Sequence, residues 1–590
     1  MERKSSDLAI KISEAIVSER AYEEISGRLP SRRVRSYFQY LLKKEVYPYV
    51  RQACVIDWYR RNSKVVSPEN RPVKVPAGGI FPLLIQCWDF NDIKIIPEIK
   101  VRSVYKSLPI IGKRIKDMLS RKNRAHNFSM TLRKPDGYMI ACHYAEGIDP
   151  LKRNDLNWYD GSGIDPKKVL VYFDTPNNSD GNPVRKEEVD KLRKAGFTTV
   201  VLKEGIVEGG ENILWPGPAN CRDSAVDIRS ASNSVERWIY AAGNDIIGAV
   251  KYWRAFHDEF NVRINYIPEE GAIKNHAQAI AFDMDGERGG LLAGKQRSEA
   301  YLPYRYHLGY HPKHLFFMWN SRAAGQLGCG TETIDDVVLT GYTYDALKRL
   351  RFDGEGLLSK DMRTRGAKTV IALFDNMHGC DYFVSTNDMV RFYKAFFEWA
   401  IADDKIGLII KSKKPMVIER LSRIRTLMAK ATDTGRCIKM DDEWGRYPSD
   451  ASFGADFAVG TGISSAVMES VISGCRGIHY DASHLIGHEF YKWGHNRIIF
   501  DDLDKMVSAL KGYAFDPGSE EGLGDWSNHL NEIDSFRDWK GGERMGQYMR
   551  ILLESFDKGM TRREALDNAD RFYGDKWGQD KVIRTGQTNG

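Results

Sequence analysis

The feature that most constrains this 590-residue sequence is a repeated alternation of short apolar runs with longer amphipathic ones, between about residues 138 and 515. GYMIACHYAEG, KKVLVYFDTPNN and TTVVLKEG have the length and composition of buried strands. Helical patterns such as EEVDKLRKAGF separate them. Strands that alternate with helices form parallel sheets covered on both faces. The sequence therefore predicts an α/β fold built from doubly wound, Rossmann-type units.

The alternation is interrupted once, which divides the chain into parts. We predict one Rossmann-like unit at 138–330 and a second at 331–515, where TVIALFDN, KIGLIIKSKK and ADFAVGTGISSAVMESVISGC supply strands. Residues 1–137 are predicted to form a mostly helical, basic N-terminal extension, and 516–590 a helical tail. In open α/β sheets, ligands bind beyond the carboxyl ends of the strands. We therefore expect the site in a cleft between the two units.

Composition excludes several other classes of protein. Hydrophobic residues make up 42% and aromatic residues 11%, which is too much core material for a disordered chain. The eight cysteines contain no C-x-x-C pair, a usage typical of reduced thiols. No signal-peptide pattern opens the sequence, and no run of about 18 apolar residues occurs. We expect a cytoplasmic protein.

The most biased segment is 100–134, which holds eleven Lys and Arg residues against the single acid Asp117. Apolar residues such as Ile110, Ile111 and Leu119 lie between them. A basic face beside an apolar one is typical of an interfacial helix on an anionic membrane. A solvated basic helix on the next domain is the alternative. No nucleic-acid-binding motif accompanies the charge, so we expect no nucleic-acid partner.

The clearest local motif runs from Gly460 to Glu469 and follows the strand ADFAV. Its small residues allow a ligand close to the backbone, and the helix that follows offers unpaired N–H groups to a phosphate. Ser464 and Ser465 add hydroxyl donors, and Glu469 lies where it can accept from ribose hydroxyls. An ordinary capped helix explains the same string without a ligand.

Five strings, in their order, resemble the GT-B glycosyltransferases, particularly bacterial surface-carbohydrate biosynthesis proteins related to CDP-glycerol glycerophosphotransferases. They are YMIACHYAEGIDPLKRNDLNWYDGSGIDPKKVLVYFD, KQRSEAYLPY, VVLTGYTYD, LIIKSKKP and GTGISSAVMESVISGCRGIHYD. The resemblance implies a GT-B-like fold, with a nucleotide-donor domain at 331–515 and an acceptor domain at 138–330. It also implies transfer of a sugar or polyol phosphate from a nucleotide-activated donor to a surface polysaccharide or its lipid-linked acceptor. No metal or other cofactor is expected.

The resemblance also implies which residues bind the donor. Three cations at a strand end would stabilise the negative charge of the leaving phosphate, as transition-state stabilisation requires. A loop after the second unit's first strand would face the same donor. The donor-binding residues implied in this way are Lys411, Lys413, Lys414, Thr461, Gly462, Ser464, Ser465, Glu469, Asp375 and His378.

An inverting transfer also needs a base that takes a proton from the acceptor hydroxyl. Position favours Glu269, Glu270 and His276, followed by Glu146, and these candidates remain open. An acceptor-binding role falls to three consecutive residues, Gln296, Arg297 and Ser298.

Two further patterns of acidic and histidine residues do not predict a metal site. Asp283 and Asp285 form a D-x-D string, but the glycines after it favour a surface turn. His484, His488 and His495 lack the acidic partner of a zinc-binding helix. Two other functions stay open on the same scaffold: a non-hydrolysing sugar-nucleotide epimerase and a non-catalytic scaffold protein.

Overall fold

The computed structural model describes most of the chain. The described residues are 2–17, 19–29, 32–62, 73–76, 84, 87–88, 95–98, 135–149, 152–177, 183–203, 213–218, 226–268, 273–285, 289–298, 312–325, 333–344, 356–379, 384–440 and 446–584. The basic segment 100–134 and the candidate bases Glu269 and Glu270 lie outside these residues.

The strands of the described chain form three sheets. In chain order they are β1 (Val73–Pro76), β2 (Ile95–Glu98), β3 (Met139–His143), β4 (Val169–Phe173), β5 (Thr198–Val201), β6 (Ile213–Leu214), β7 (Val262–Tyr266), β8 (Leu291–Lys295), β9 (Leu315–Met318), β10 (Asp336–Leu339), β11 (Thr369–Phe374), β12 (Ile406–Lys411), β13 (Cys437–Lys439), β14 (Phe457–Thr461), β15 (Arg476–Tyr480), β16 (Ile499–Phe500) and β17 (Val582–Arg584). The larger sheet has the order β17-β10-β9-β8-β7-β3-β4-β5-β6, and the smaller has β13-β12-β11-β14-β15-β16. Strands β1 and β2 pair with each other.

The helices surround these sheets. They are α1 (Glu2–Val17), α2 (Arg20–Arg28), α3 (Arg33–Asn62), α4 (Lys186–Lys194), α5 (Ser234–Glu259), α6 (Ile273–Asp283), α7 (Ser321–Ala324), α8 (Leu357–Thr364), α9 (Thr386–Ala402), α10 (Pro415–Glu419), α11 (Arg425–Asp433), α12 (Pro448–Ser452), α13 (Ser465–Ile472), α14 (Phe490–Gly494), α15 (Leu503–Phe515), α16 (Leu530–Ile533), α17 (Gly541–Asp557) and α18 (Arg562–Trp577).

Both large sheets are parallel, apart from the edge strand β17. Their strands are buried along most of their length, because helices cover both faces, as the continuous apolar runs require. We call the larger sheet with its helices the first unit and the smaller sheet with its helices the second unit. The predicted α/β fold of two doubly wound, Rossmann-type units in the GT-B order is confirmed by this topology.

The boundary between the two units lies later than predicted. We assigned VVLTGYTYD to the second unit, beginning at 331, but β10 pairs in parallel with β9 of the first sheet. Val338 belongs to the core of the first unit, and Val337 and Leu339 pack against Phe316 and Met318. The chain therefore leaves the first unit only after β10. The misassignment arose because a buried strand's composition does not show which sheet it joins.

The C-terminal tail returns to the first unit. Helices α17 and α18 pack on its core through residues such as Tyr548, Leu552 and Tyr573. The Tyr573 hydroxyl donates to the Leu339 carbonyl of β10 at 2.7 Å. Strand β17 then pairs antiparallel with β10. Helix α17 comes so close that a Cβ on Gly546 would lie 2.0 Å from the Trp158 carbonyl oxygen, so only glycine fits there.

The N-terminal helices form an additional layer on the first unit. Leu8, Ile12 and Ile16 of α1 and Ile25 of α2 are buried in one core with α5 and α6. A Cβ on Gly243 of α5 would meet the Ile25 side chain at 2.2 Å, which shows how closely the layers approach. The described helices α1 and α2 of the predicted extension are therefore part of the first unit's core.

A cluster of charges joins the N-terminal layer, the sheet and the tail. The carboxylate of Asp283 accepts hydrogen bonds from Arg33 at 2.6 Å, Arg562 at 2.8 Å and His314 Nε2 at 3.0 Å. His314 Nδ1 accepts from the Leu292 amide at 2.9 Å. Burial, together with Arg33 and Arg562, lowers the pKa of His314 to about 3, so His314 is neutral. Asp283 ends α6 within this cluster, and the turn that we expected at this string follows it at Met284 and Asp285.

We expect Asp283→Asn to lower the free energy of unfolding by roughly 3 kcal/mol, because it removes the nearer carboxylate of the buried Arg33 guanidinium and leaves only Asp335, at 3.8 Å. Denaturant titration measures the change. Glu398→Gln is the matched control, because Glu398 and Lys394 form an ion pair at 3.6 Å with both side chains more than half exposed. The control should change stability by less than about 0.5 kcal/mol. Equal losses of stability in the two variants would show that the Asp283 cluster does not stabilise the fold.

Candidate functional site

The glycine motif lies at the carboxyl edge of the second sheet. Strand β14 ends at Thr461, and Gly462 adopts a φ of +69°, the left-handed region that favours glycine. Ser464 caps α13, its side chain accepting from the Ala466 amide at 3.2 Å. Ser465 is the first residue of the helix. The strand, turn and helix predicted from the string are therefore present in the structure.

A buried carboxylate organises the neighbouring strand ends. Asp375 follows β11 and accepts from Ser412 Oγ at 2.5 Å, Tyr393 Oη at 2.9 Å and the Lys413 amide at 2.6 Å. Burial raises the pKa of Asp375 to about 6 in spite of these donors. The Lys413 ammonium donates to Asn376 Oδ1 at 2.8 Å. Asp375 thus fixes the loop that carries the lysines, and its oxygens face that loop.

Lys411 is a further cation at this edge of the sheet, near Arg153 of the first unit. It ends β12 and is partly exposed. Burial lowers the pKa of Lys411, and the positive charge of Arg153 from the first unit lowers it further. Lys414 lies three residues on, where its carbonyl accepts from Ser412 Oγ at 2.8 Å. Two cations from different units thus approach each other at the cleft.

His378 occupies the loop after β11. Its Nε2 lies 3.1 Å from the Val417 carbonyl oxygen and its Nδ1 3.1 Å from Thr386 Oγ1. Since a carbonyl only accepts, Nε2 carries a proton. His378 therefore joins the loop to α9 and α10.

Glu146 lies at the carboxyl edge of the first sheet, in the loop after β3. Its Oε1 accepts from Arg297 at 2.5 Å, and its Oε2 lies 3.5 Å from the Tyr344 hydroxyl. Burial alone would raise the pKa of Glu146, but Arg297, Lys295 and Arg153 together hold it below its usual value. Glu146 is therefore ionised at neutral pH, in a group of three cations from two segments of the first unit.

The two units meet through Glu469. Its Oε1 accepts from Arg153 of the first unit at 2.6 Å, and its Oε2 accepts from the Tyr342 hydroxyl at 2.6 Å. Glu469 is only 1% exposed. The Arg153 guanidinium also lies 5.6 Å from the ring centre of Tyr344. The residue that the sequence predicted as a ribose contact is thus the centre of the contact between the units.

The three predicted acceptor residues have different surroundings. Gln296 is buried, with Oε1 accepting from the Trp319 amide at 2.9 Å and Nε2 donating to the Ser298 carbonyl at 3.1 Å. Arg297 pairs with Glu146, as described above. The Ser298 hydroxyl contacts that of Ser465 across the cleft. The structure thus brings Arg297 and Ser298 to the cleft, whereas Gln296 holds the backbone beneath them.

His276 lies in another part of the first unit. It is fully buried in α6, with Nε2 3.5 Å from Ser36 Oγ and its ring 5.4 Å from that of Tyr40. The structure therefore brings His276 to α3 of the N-terminal layer, in contact with neither Glu146 nor Arg297. Of the four candidate bases, Glu146 is the one that the described structure places at the cleft.

Sequence reasoning missed two buried groups beneath Glu146. Lys295 ends β8, donates to Asn157 Oδ1 at 3.0 Å and lies 4.1 Å from the ring centre of Tyr344. Asp155 accepts from three backbone amides in the loop after β3. Burial lowers the pKa of Lys295 to about 8 and raises that of Asp155 to about 7. Lys295 directly follows the apolar run LLAG, and that position was the available signal, whereas Asp155 follows the polar residues Lys152, Arg153 and Asn154 and carried none.

Within the described residues, no group of three or more His, Cys, Asp or Glu side chains is placed to hold a metal ion. The helices of the same part of the chain include none that is both long and apolar enough to cross a bilayer.

Comparisons with known proteins were made on sequence and on structure. No protein-family model matches the sequence, and no curated protein matches it. Solved structures similar in fold include the wall teichoic acid polymerase TagF, at 11% identity and a TM-score of 0.39, covering 78% of this chain and 99% of that one. A putative UDP-N-acetylglucosamine 2-epimerase from Listeria monocytogenes is 10% identical, with a TM-score of 0.42 and coverage of 72% and 98%. S. aureus MnaA, in a co-structure with UDP, is 10% identical, with a TM-score of 0.41 and coverage of 71% and 97%.

The pKa of Lys295 leads to a prediction about stability. The folded pKa of about 8 lies below the unfolded value near 10.4, so between these values the unfolded chain binds more protons. The free energy of unfolding of the wild type, measured against that of Lys295→Met, should therefore rise with pH. The expected slope between these pKa values is about 1.4 kcal/mol per pH unit. Urea titrations of both proteins from pH 7 to pH 10 measure the difference. A constant difference would mean that Lys295 keeps its ordinary pKa.

Proposed function

We propose that this protein is a GT-B-type transferase that moves a sugar, or a polyol phosphate, from a nucleotide-activated donor. The observation that carries the proposal is the convergence of cations from both units on one cleft. Arg153 and Arg297 come from the first unit and Lys411 and Lys413 from the second, and the carboxyl edges of both parallel sheets meet there. Such an edge is where α/β folds bind nucleotides, and cations from both units suit the phosphates of a nucleotide.

The donor would bind to the second unit. The turn at Gly462 and the N-terminus of α13 provide backbone N–H groups for a phosphate. Lys411 would neutralise the leaving phosphate as its bond to the transferred group breaks. Glu469 would accept from the ribose, once the nucleotide competes with Arg153 for its carboxylate. No step in this mechanism requires a metal or a cofactor from the protein.

The acceptor would approach from the first unit. Its hydroxyl oxygen attacks the transferred group, and the bond from that group to the nucleotide phosphate breaks. Glu146 is ionised and would take the hydroxyl proton, with Arg297 orienting its carboxylate. We propose a surface polysaccharide or its lipid-linked precursor as the acceptor, and the cytoplasm as the place of the reaction.

A nucleotide panel tests the donor site. We expect one family among CMP, CDP, UDP, GDP and their sugar conjugates to raise the melting temperature of the protein. Ligand at about 100 times its Kd stabilises by roughly 2.7 kcal/mol. Lys411→Ala should weaken binding at least tenfold, because it removes a cation from the cleft.

Lys405→Ala is the matched control for this experiment. Lys405 precedes β12 and Lys411 is its last residue, so the two lysines lie at opposite ends of one strand. The control should bind like the wild type. No shift with any nucleotide, or equal losses in the two variants, would contradict the proposed donor site. Conversion of a nucleotide sugar without any acceptor would instead identify an epimerase.

The segment 100–134 suggests that the enzyme works at a membrane surface. Its eleven basic residues against one acid favour anionic lipid, at about 1 kcal/mol per cation near the surface. We expect the protein to sediment with phosphatidylserine vesicles but not with phosphatidylcholine vesicles. Replacing Lys113, Arg114 and Lys116 by Gln should weaken this binding at least tenfold. Equal sedimentation of the two proteins would refute the membrane contact.

A further inference from the structure

A single buried carboxylate oxygen holds the loop that carries Glu146. Oδ2 of Asp155 accepts from the amides of Ala145 at 2.8 Å, Glu146 at 2.8 Å and Gly147 at 3.0 Å. The Asp155 amide donates back to the Gly147 carbonyl at 2.9 Å. Asp155 itself is 0% exposed. One residue, Asp155, thus holds the backbone of Glu146 and of both its chain neighbours.

The burial of Asp155 carries a cost in free energy beyond that of an ordinary hydrogen-bonded loop. Asp155 lies near the ionised Glu146, and burial together with that negative charge raises the pKa of Asp155 to about 7. Its second oxygen, Oδ1, is buried without a hydrogen-bond partner. A buried carboxylate oxygen without a partner is unfavourable, and such groups are rare in native proteins. A role that needs the backbone of Glu146 in one fixed position would account for the unpaired Oδ1 of Asp155.

The loop that Asp155 holds places Glu146 at the cleft. Glu146 reaches Arg297, which comes from the end of β8, and Tyr344, which comes from the segment after β10. The three residues lie on separate parts of the first unit, so small displacements of the loop would break their contacts. A shift of about 1 Å in a reacting group can reduce a rate a hundredfold.

We propose that Asp155 is a positioning residue of the transferase, which acts by fixing Glu146 against Arg297. This inference rests on the proposed function. Asp155 touches no substrate in this scheme, because it is 0% exposed and its Oδ2 accepts from the three loop amides. The donor is bound by the second unit, so Asp155 influences the transfer step and leaves donor affinity alone.

Steady-state kinetics of three variants test the proposal. Asp155→Ala removes the acceptor of three amides, and we expect kcat to fall about a hundredfold while the donor KM stays within twofold. Asp155→Asn keeps an oxygen at the same place and should restore kcat to within about fivefold of the wild type. Asp155→Glu keeps the charge but moves it by one methylene group, so kcat should fall again with an unchanged donor KM.

A double-mutant cycle separates this role from general destabilisation. In a Glu146→Ala background, Asp155→Ala should reduce kcat by less than threefold, because the residue through which it acts is gone. A further loss of a hundredfold in that background would overturn the proposal. So would a normal kcat in Asp155→Ala alone. If Asp155→Ala does not fold, Asp155→Glu takes its place in the cycle and is held to the same criteria.

Failure of the proposed function would look different. A wild-type protein that binds no nucleotide and transfers no group overturns the transferase, and the positioning role with it. A wild type that binds and transfers, with Asp155→Ala and Asp155→Glu both at full kcat, overturns the positioning role alone. The nucleotide panel is therefore run first on the wild type.

Discussion

The ion pair between Arg153 and Glu469 is the contact on which the arrangement of the cleft depends. It joins a loop of the first unit to a helix of the second at 2.6 Å, with Glu469 almost completely buried. A buried pair gains little stability over an apolar contact, but it costs several kcal/mol if one partner is lost. Its contribution is therefore to the relative orientation of the two sheet edges, together with the aromatic cluster of Trp319, Tyr342, Tyr344, Tyr447 and Phe453.

A second contact between the units lies away from the glycine motif. Arg322 of α7 forms an ion pair with Glu489, beside the rings of Phe490 and Trp493. Asn320 donates to the Ile533 carbonyl at 2.9 Å in the segment that leads back to the first unit. The units are thus tied both at the cleft and at the return of the chain. A ligand that competes for Glu469 would break its ion pair with Arg153 and leave the ion pair between Arg322 and Glu489 in place.

The sequence predicted local structure well and long-range placement poorly. The strand, turn and helix around Gly462 follow from residues that are neighbours in the chain, so periodicity and glycine preference were sufficient. The burial of His276 under α3 and the pairing of β10 with β9 depend on segments far apart in sequence. Propensity holds no information about such partners. Asp155 was missed for the same reason, because its role is visible only once the loop after β3 has closed around it.

The return of α17, α18 and β17 to the first sheet makes the second unit an insertion within the first. During synthesis, all strands of the second unit leave the ribosome before the residues that complete the first core. Domains generally fold as units when their chain is available. The second unit can thus finish folding while the first still exposes the surface that Tyr548 and Leu552 will cover. A premature stop near residue 540 would leave the smaller sheet complete but deprive the larger sheet of part of its core, although the missing residues lie far along the chain from β3.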